Sequence, residues 1–145
     1  MGKYIGESVL RKEDPRLVTG EAKYLEDIKI SGMLHAVVKR SDYAHAKILN
    51  IDTNEASRMP GVVGVFTGKD FEDLNPLPCA FQAGGVTNNA NTPRVLEIDK
   101  VTHLGAGVAV VVAEDRNQAE DACAKINVDY EELPCVVSLE DAIQE

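Results

Sequence analysis

Apolar and polar positions follow two different rhythms along this chain, and the change between them predicts its elements. Six apolar residues, Val108 to Ala113, run without interruption between a glycine-rich stretch and Glu114-Asp115. That run fits a strand buried on both faces and is too short for a helix. Asp115 then predicts a helix N-cap, with Gln118 three residues on to complete a capping box. Inside the helix Ala119, Ala122, Cys123 and Ile126 fall at i, i+3, i+4 and i+7 and make one apolar stripe. Arg116, Asn117, Glu120, Asp121 and Lys125 cover the other side. Ile126, Val128 and Tyr130 alternate afterwards as in a second strand, which Pro134 stops. The stretch from Gly105 to Pro134 therefore reads strand, helix, strand, with packing instructions and no obvious chemistry.

A unit of the same kind precedes it. Residues 33–40 alternate as a strand, with Leu34, Ala36 and Val38 on one face. Ser41 to Ala44 turn the chain, and His45 to Asp52 read as another strand with Ala46, Ile48 and Asn50 facing one way. Asp52 or Thr53 can cap a short helix, which Pro60-Gly61 ends before the apolar strand Val62 to Thr67. Residues 45–67 thus repeat the pattern without repeating residues. Thr67 to Phe71 form a turn. Residues 75–94 lose the regular signal among Pro76, Pro78, Gly84, Gly85 and Pro93, and a loop of that length is usually functional or mobile. Val95 to Val101 return to extended structure. Cys135 to Val137 read as extended, and Ser138 with Asp141 caps a last helix, Leu139 to Gln144. The chain stops at or just after that helix, as a piece of something longer would.

Residues 1–32 are polar and punctuated by Gly6, Pro15, Gly20 and Gly32. Leu17, Val18, Tyr24, Leu25, Ile28 and Ile30 give this stretch anchors, so it reads as an ordered arm. Packing on a neighbouring domain and wrapping the domain's own core both remain open. The expected class is α/β (α+β), a mixed sheet with strand–helix–strand units at residues 33–145, long loop 75–94 included.

Composition narrows the function. At 145 residues this is one domain, and 44% apolar residues supply a core, so disorder is not its general state. The net charge of −9 argues against nucleic acid, which needs a basic stripe, and against an anionic membrane surface. Three cysteines, Cys79, Cys123 and Cys135, without a Cys-x-x-Cys spacing fit a reducing compartment. No secretory h-region opens the chain, and no apolar run approaches the roughly 20 residues of a membrane span, so the reading is cytoplasmic.

Chemical motifs are sought with little return. Gly105-Ala106-Gly107 precedes a strand, whereas a dinucleotide fingerprint follows one and opens a helix. Gly84-Gly85 has no Lys-Ser/Thr after it. His35, His45 and His103 are scattered, with no i, i+4 pair for zinc. Glu131-Glu132 and Glu114-Asp115 read as strand-end and helix-start charge. A small enzyme built on His103 with Asp99 or Glu114 is conceivable and is set aside for want of a pattern.

Three stretches nevertheless carry a resemblance. They are EDPRLVTGEAKYLEDI (13–28), GMLHAVVKRSDYAHAKILNIDTNEASRMPGVVGVFTGKDF (32–71) and VTHLGAGVAVVVAEDRNQAEDACAKINVDYEELPCVVSLEDAI (101–143). The specific matches are Asp14-Pro15-Arg16-Leu17 with Thr19-Gly20, His45-Ala46 before Ile48, Pro60-Gly61-Val62, and Tyr130-Glu131 with Leu133-Pro134. The chain resembles the start of the large subunit of molybdenum hydroxylases: xanthine dehydrogenases, aldehyde oxidases and aerobic carbon monoxide dehydrogenases. The matching region is their α/β hammerhead domain, and the Gly105–Glu114 stretch looks nearest the carbon-monoxide-dehydrogenase-like branch. The resemblance implies a supporting domain that packs against molybdenum-binding domains and contacts iron–sulfur and flavin subunits. It implies molybdopterin in the complete large subunit, with iron–sulfur and FAD in partner subunits or domains. The family's catalytic glutamate and molybdopterin loops lie downstream of the matched region. No catalytic, cofactor-binding or metal residue is therefore carried over to this chain, and the substrate is not legible here. The alternative is a free-standing binding or assembly module without redox activity.

Overall fold

The computed structural model describes residues 5–78 and 92–143. Contacts divide the chain after Met33 into two compact units. The smaller, residues 1–33, holds one five-residue helix, α1 (Asp14–Val18), opened by Asp14 and Pro15. Proline suits that first turn, where its missing N–H has no partner to lose. A single 3₁₀ turn, Leu25–Asp27, follows, with the Tyr24 backbone N–H donating to the Asp27 carboxylate at 2.9 Å. None of the described residues here is buried. Val18 and Leu25, both expected to anchor the arm, are 87% and 85% exposed.

The larger unit contains, in chain order, β1 (His35–Arg40), β2 (Ala46–Asp52), β3 (Val62–Thr67), β4 (Lys100–Val101), β5 (Gly107–Ala113), α2 (Arg116–Ala124), β6 (Asn127–Glu132) and α3 (Leu139–Ala142). The strands make two three-stranded sheets, ordered β1-β5-β3 and β4-β2-β6. Every pairing is antiparallel. The α+β class holds, and the expected mixed sheet is corrected to two antiparallel ones. Both edges of β5 are taken by β1 and β3, so the strand after α2 has no place beside it and joins β2 instead. Each strand–helix–strand unit thus carries the chain from one sheet to the other: β2 to β3, and β5 to β6.

Local chemistry explains the details. The six-residue strand β3 starts at Val62, as its β-branched run predicts. The helix expected before it shrinks to a 3₁₀ turn, Ala56–Arg58, because Pro60-Gly61 follow too closely for more. Asp52 opens that turn by accepting from the Asn54 N–H at 2.9 Å. A bulge between Ile48 and Asn50 interrupts β2. It leaves Leu49 62% exposed and turns Ile51 inward with Ile48, so the expected Ala46-Ile48-Asn50 face breaks after Ile48. Asp115 caps α2 as predicted, accepting from the Asn117 N–H at 2.8 Å. Gln118 does not close the capping box, because its side chain lies over Gly61. Ser138 caps α3, accepting from the Asp141 N–H at 3.1 Å. The expected end of that helix at Gln144, like most of loop 75–94, lies outside the described residues.

Two apolar cores meet at β5. In one, Ala109, Val111 and Ala113 pack against Ala119, Ala122 and Cys123 of α2, with Ala56 and Ile126. The small side chains let the helix lie close to the strand. In the other, Val108 packs with Ala46, Val101 and Ala106. The predicted stripe Ala119-Ala122-Cys123-Ile126 is buried throughout, although Ile126 stands just past the helix end.

Candidate functional site

His45, Glu131 and Glu114, singled out from sequence, are held by structural contacts. His45 Nδ1 lies 2.6 Å from the Pro134 carbonyl, which ties the start of β2 to the end of the β6 segment. Glu131 accepts from Lys47 Nζ at 3.1 Å across β2 and β6, as a strand-end charge should. The Glu114 N–H donates to the Gly61 carbonyl at 2.9 Å. Gly105 takes φ +83°, a conformation that glycine adopts without strain, and turns the chain into β5. Gly107 sits where a Cβ would press on Val38 and Leu96. These glycines serve a turn and a close packing contact. Cys123 is buried, and burial pushes its thiol pKa up; Cys135 is exposed; Cys79 lies outside the described residues.

A shallow cleft opens between the two sheets, lined by Ile48 to Ile51, Thr67 to Lys69, and Glu97 to Asp99. Gly68 makes it possible, since a Cβ there would meet the Glu97 carbonyl at 2.5 Å. Burial raises the Glu97 pKa, against the opposing pull of the Arg94 backbone N–H and the charges of His103 and Arg94. His35, His45 and His103 are not brought together. Among the described residues no group of three or more His, Cys, Asp or Glu could hold a metal ion. The donor set along this cleft, two carboxylates and one lysine, does not fit a molybdenum–pterin centre, and no chemical step is assigned to it.

The feature that sequence reasoning missed is the outer face of the β1-β5-β3 sheet. Val37 and Val65 point to α2 with Val111. The alternate residues point away: Val38 and Phe66 both pair with Val110, and Ala36 and Gly64 both pair with Val112. All six positions are apolar. Val110 and Val112 are only half-buried, and Val38 and Phe66 are 37% and 40% exposed. The expectation of a strand buried on both faces is met at Val108 and not at Val110 or Val112. The unbroken valine run signalled two apolar faces, but it could not say that one of them would leave Val38 and Phe66 more than a third exposed.

Comparison with known proteins places this arrangement. Residues 19–134 match the family described as aldehyde oxidase and xanthine dehydrogenase, a/b hammerhead domain. The chain belongs to that family. It is 44% identical over 141 residues to the nicotine 6-hydroxylase large subunit of Paenarthrobacter nicotinovorans, covering 97% of this chain and 17% of that protein. It is 42% identical over 127 residues to the carbon monoxide dehydrogenase large chain of Afipia carboxidovorans, covering 88% and 15%. Among solved structures, quinoline 2-oxidoreductase from Pseudomonas putida 86 superposes with a TM-score of 0.84 at 42% identity, over 96% of this chain and 18% of that one. The Cu,Mo-CO dehydrogenase superposes at 0.78 with 38% identity, over 96% and 17%. The hammerhead domain thus spans less than a fifth of these relatives. The resemblance to carbon monoxide dehydrogenase large chains holds, and it extends equally to the nicotine hydroxylase.

Proposed function

We propose that this chain is a non-catalytic supporting domain of a molybdopterin-dependent hydroxylase or dehydrogenase, packing against molybdenum-binding domains and against iron–sulfur and flavin subunits. The observation that carries this reading is the hammerhead match over residues 19–134, at 44% identity to a hydroxylase large subunit. The parts assigned are an arm, residues 1–32, and the hammerhead, residues 33–145. In this reading the molybdenum chemistry belongs to the molybdenum-binding domains of the large subunit, the compartment is the cytoplasm, and no residue of this chain touches substrate. No helix among the described residues is long and apolar enough to cross a membrane. The surfaces offered to partners are the arm from Arg11 to Gly20, loop 75–94 and the outer sheet face.

Affinity purification of the tagged chain from its own molybdate-grown cells, with mass spectrometry of what accompanies it, tests the proposal. Molybdenum-binding domains together with iron–sulfur and flavin subunits in fixed proportion are the expected result. Recovery of the chain with unrelated proteins would favour the second reading, a free-standing assembly module. The exposed apolar arm is the observation that keeps that reading in view.

A further inference from the structure

We infer that the cleft between the two sheets, with a second hollow that adjoins it, binds a small oxyanion: a carboxylate or phosphate group on a compact molecule. This adds a ligand to the domain and does not depend on the supporting role proposed above. Glu97, Ile98 and Asp99 line both depressions, so the two adjoin along that segment. The first encloses about 240 Å³ and the second about 280 Å³, which suits a molecule smaller than a typical drug-sized ligand. Ile48, Ile51 and Ile98 give the first an apolar lining for the carbon part of such a molecule.

The distribution of cations points to the sign of the ligand. Residues 34–145 hold nine lysines and arginines against eighteen acids. Three of the nine, Lys69, Arg94 and Lys100, line these depressions, against only two of the eighteen, Glu97 and Asp99. Elsewhere in the same unit Lys47, Arg116 and Lys125 each meet a carboxylate within 3.1 Å. Lys69 and Lys100 have no acid partner among the described residues. Arg94 Nη1 donates to the Glu72 and Leu74 carbonyls, both at 3.4 Å. Those bonds steady the guanidinium and leave its other N–H groups for an oxyanion, which a planar fork of donors recognises well. The Thr92 and Thr102 hydroxyls line the same hollow and can donate as well. Glu97 opposes an anion only weakly, because burial favours its neutral form, and a neutral carboxyl donates a hydrogen bond.

Amide NMR spectra of the full 145-residue chain, titrated with potassium phosphate and with sodium succinate against sodium chloride of equal ionic strength, test this. Saturable shifts centred on Gly68, Lys69, Glu97, Asp99 and Lys100 are expected with at least one of the two oxyanions, and no saturation with chloride. Saturation by phosphate alone identifies a phosphorylated ligand and by succinate alone a carboxylic acid; either supports the inference. The double variant Lys69→Gln/Lys100→Gln should bind about ten-fold more weakly, as the loss of charged hydrogen bonds predicts. Lys47→Gln, whose lysine pairs with Glu131 instead, should bind as wild type does. Glu97→Gln removes a carboxylate and keeps a donor, so it should bind as tightly or more tightly. Shifts that stay linear with both oxyanions, or that match those with chloride, would overturn the inference, and the wild-type titration decides this even where a variant fails to fold. Unchanged affinity in the double lysine variant would overturn it as well. Weaker binding by Glu97→Gln would do the same, by making the carboxylate a part of what holds the ligand. None of these results bears on the supporting role.

Discussion

Single residues fix the turns between the sheets. Gly61 takes φ +78° at the start of β3, where an L side chain is strained, and Gln118 occupies the space a Cβ would need. Gly61→Ala should therefore cost about 1–2 kcal/mol, read as a lower denaturant midpoint with an unchanged slope. A midpoint equal to wild type would mean that the turn relaxes freely. Glu97 makes a prediction of another kind. Its carboxyl is held above its ordinary pKa, chiefly by burial, so the folded chain keeps a proton that the unfolded chain has already released. Its contribution favours folding most below the unfolded value, and it weakens as pH rises from there to the raised folded value. Glu97→Gln should remove that part of the slope of melting temperature against pH in the weakly acidic range. An identical slope in both proteins would refute the burial argument.

At the scale of elements, β5 is where sequence and structure can be weighed against each other. Its apolar run, the Asp115 cap and the Ala119-Ala122-Cys123-Ile126 stripe were legible because each depends on spacing of a few residues. The partners of β5 were not legible, because antiparallel pairing with β1 and β3 brings together residues more than forty positions apart. The bulge at Leu49 was hidden for a related reason: a one-residue slip is set by the strand opposite, not by the strand itself. The two faces of β5 can be separated experimentally. Val111 is fully buried against α2, so Val111→Asp strands a charge in the core and costs on the order of several kcal/mol. Val110 lies on the uncovered face, so Val110→Asp reaches water and costs clearly less in the free chain. Thermal melts of the two variants should rank Val111→Asp far below Val110→Asp; equal losses would mean the outer face is buried after all.

For the whole molecule, the larger unit builds two cores of its own, while the described residues of the smaller unit bury none of their side chains. Membership of the hammerhead family was readable from stretches such as Pro60-Gly61-Val62, where Gly61 takes φ +78° in the turn before β3. The candidate surface was not readable, since no residue on it carries chemistry and its meaning lies in what is left uncovered. The central claim, as proposed above, is that this domain supports a molybdenum centre that none of its own residues holds. Size-exclusion chromatography with in-line elemental analysis, run on the tagged chain from molybdate-grown cells, tests it most directly. The account predicts molybdenum only in the large species that contains these 145 residues together with molybdenum-binding domains, and none in the peak of these 145 residues alone. Stoichiometric molybdenum eluting with the 15.7 kDa chain by itself would contradict it.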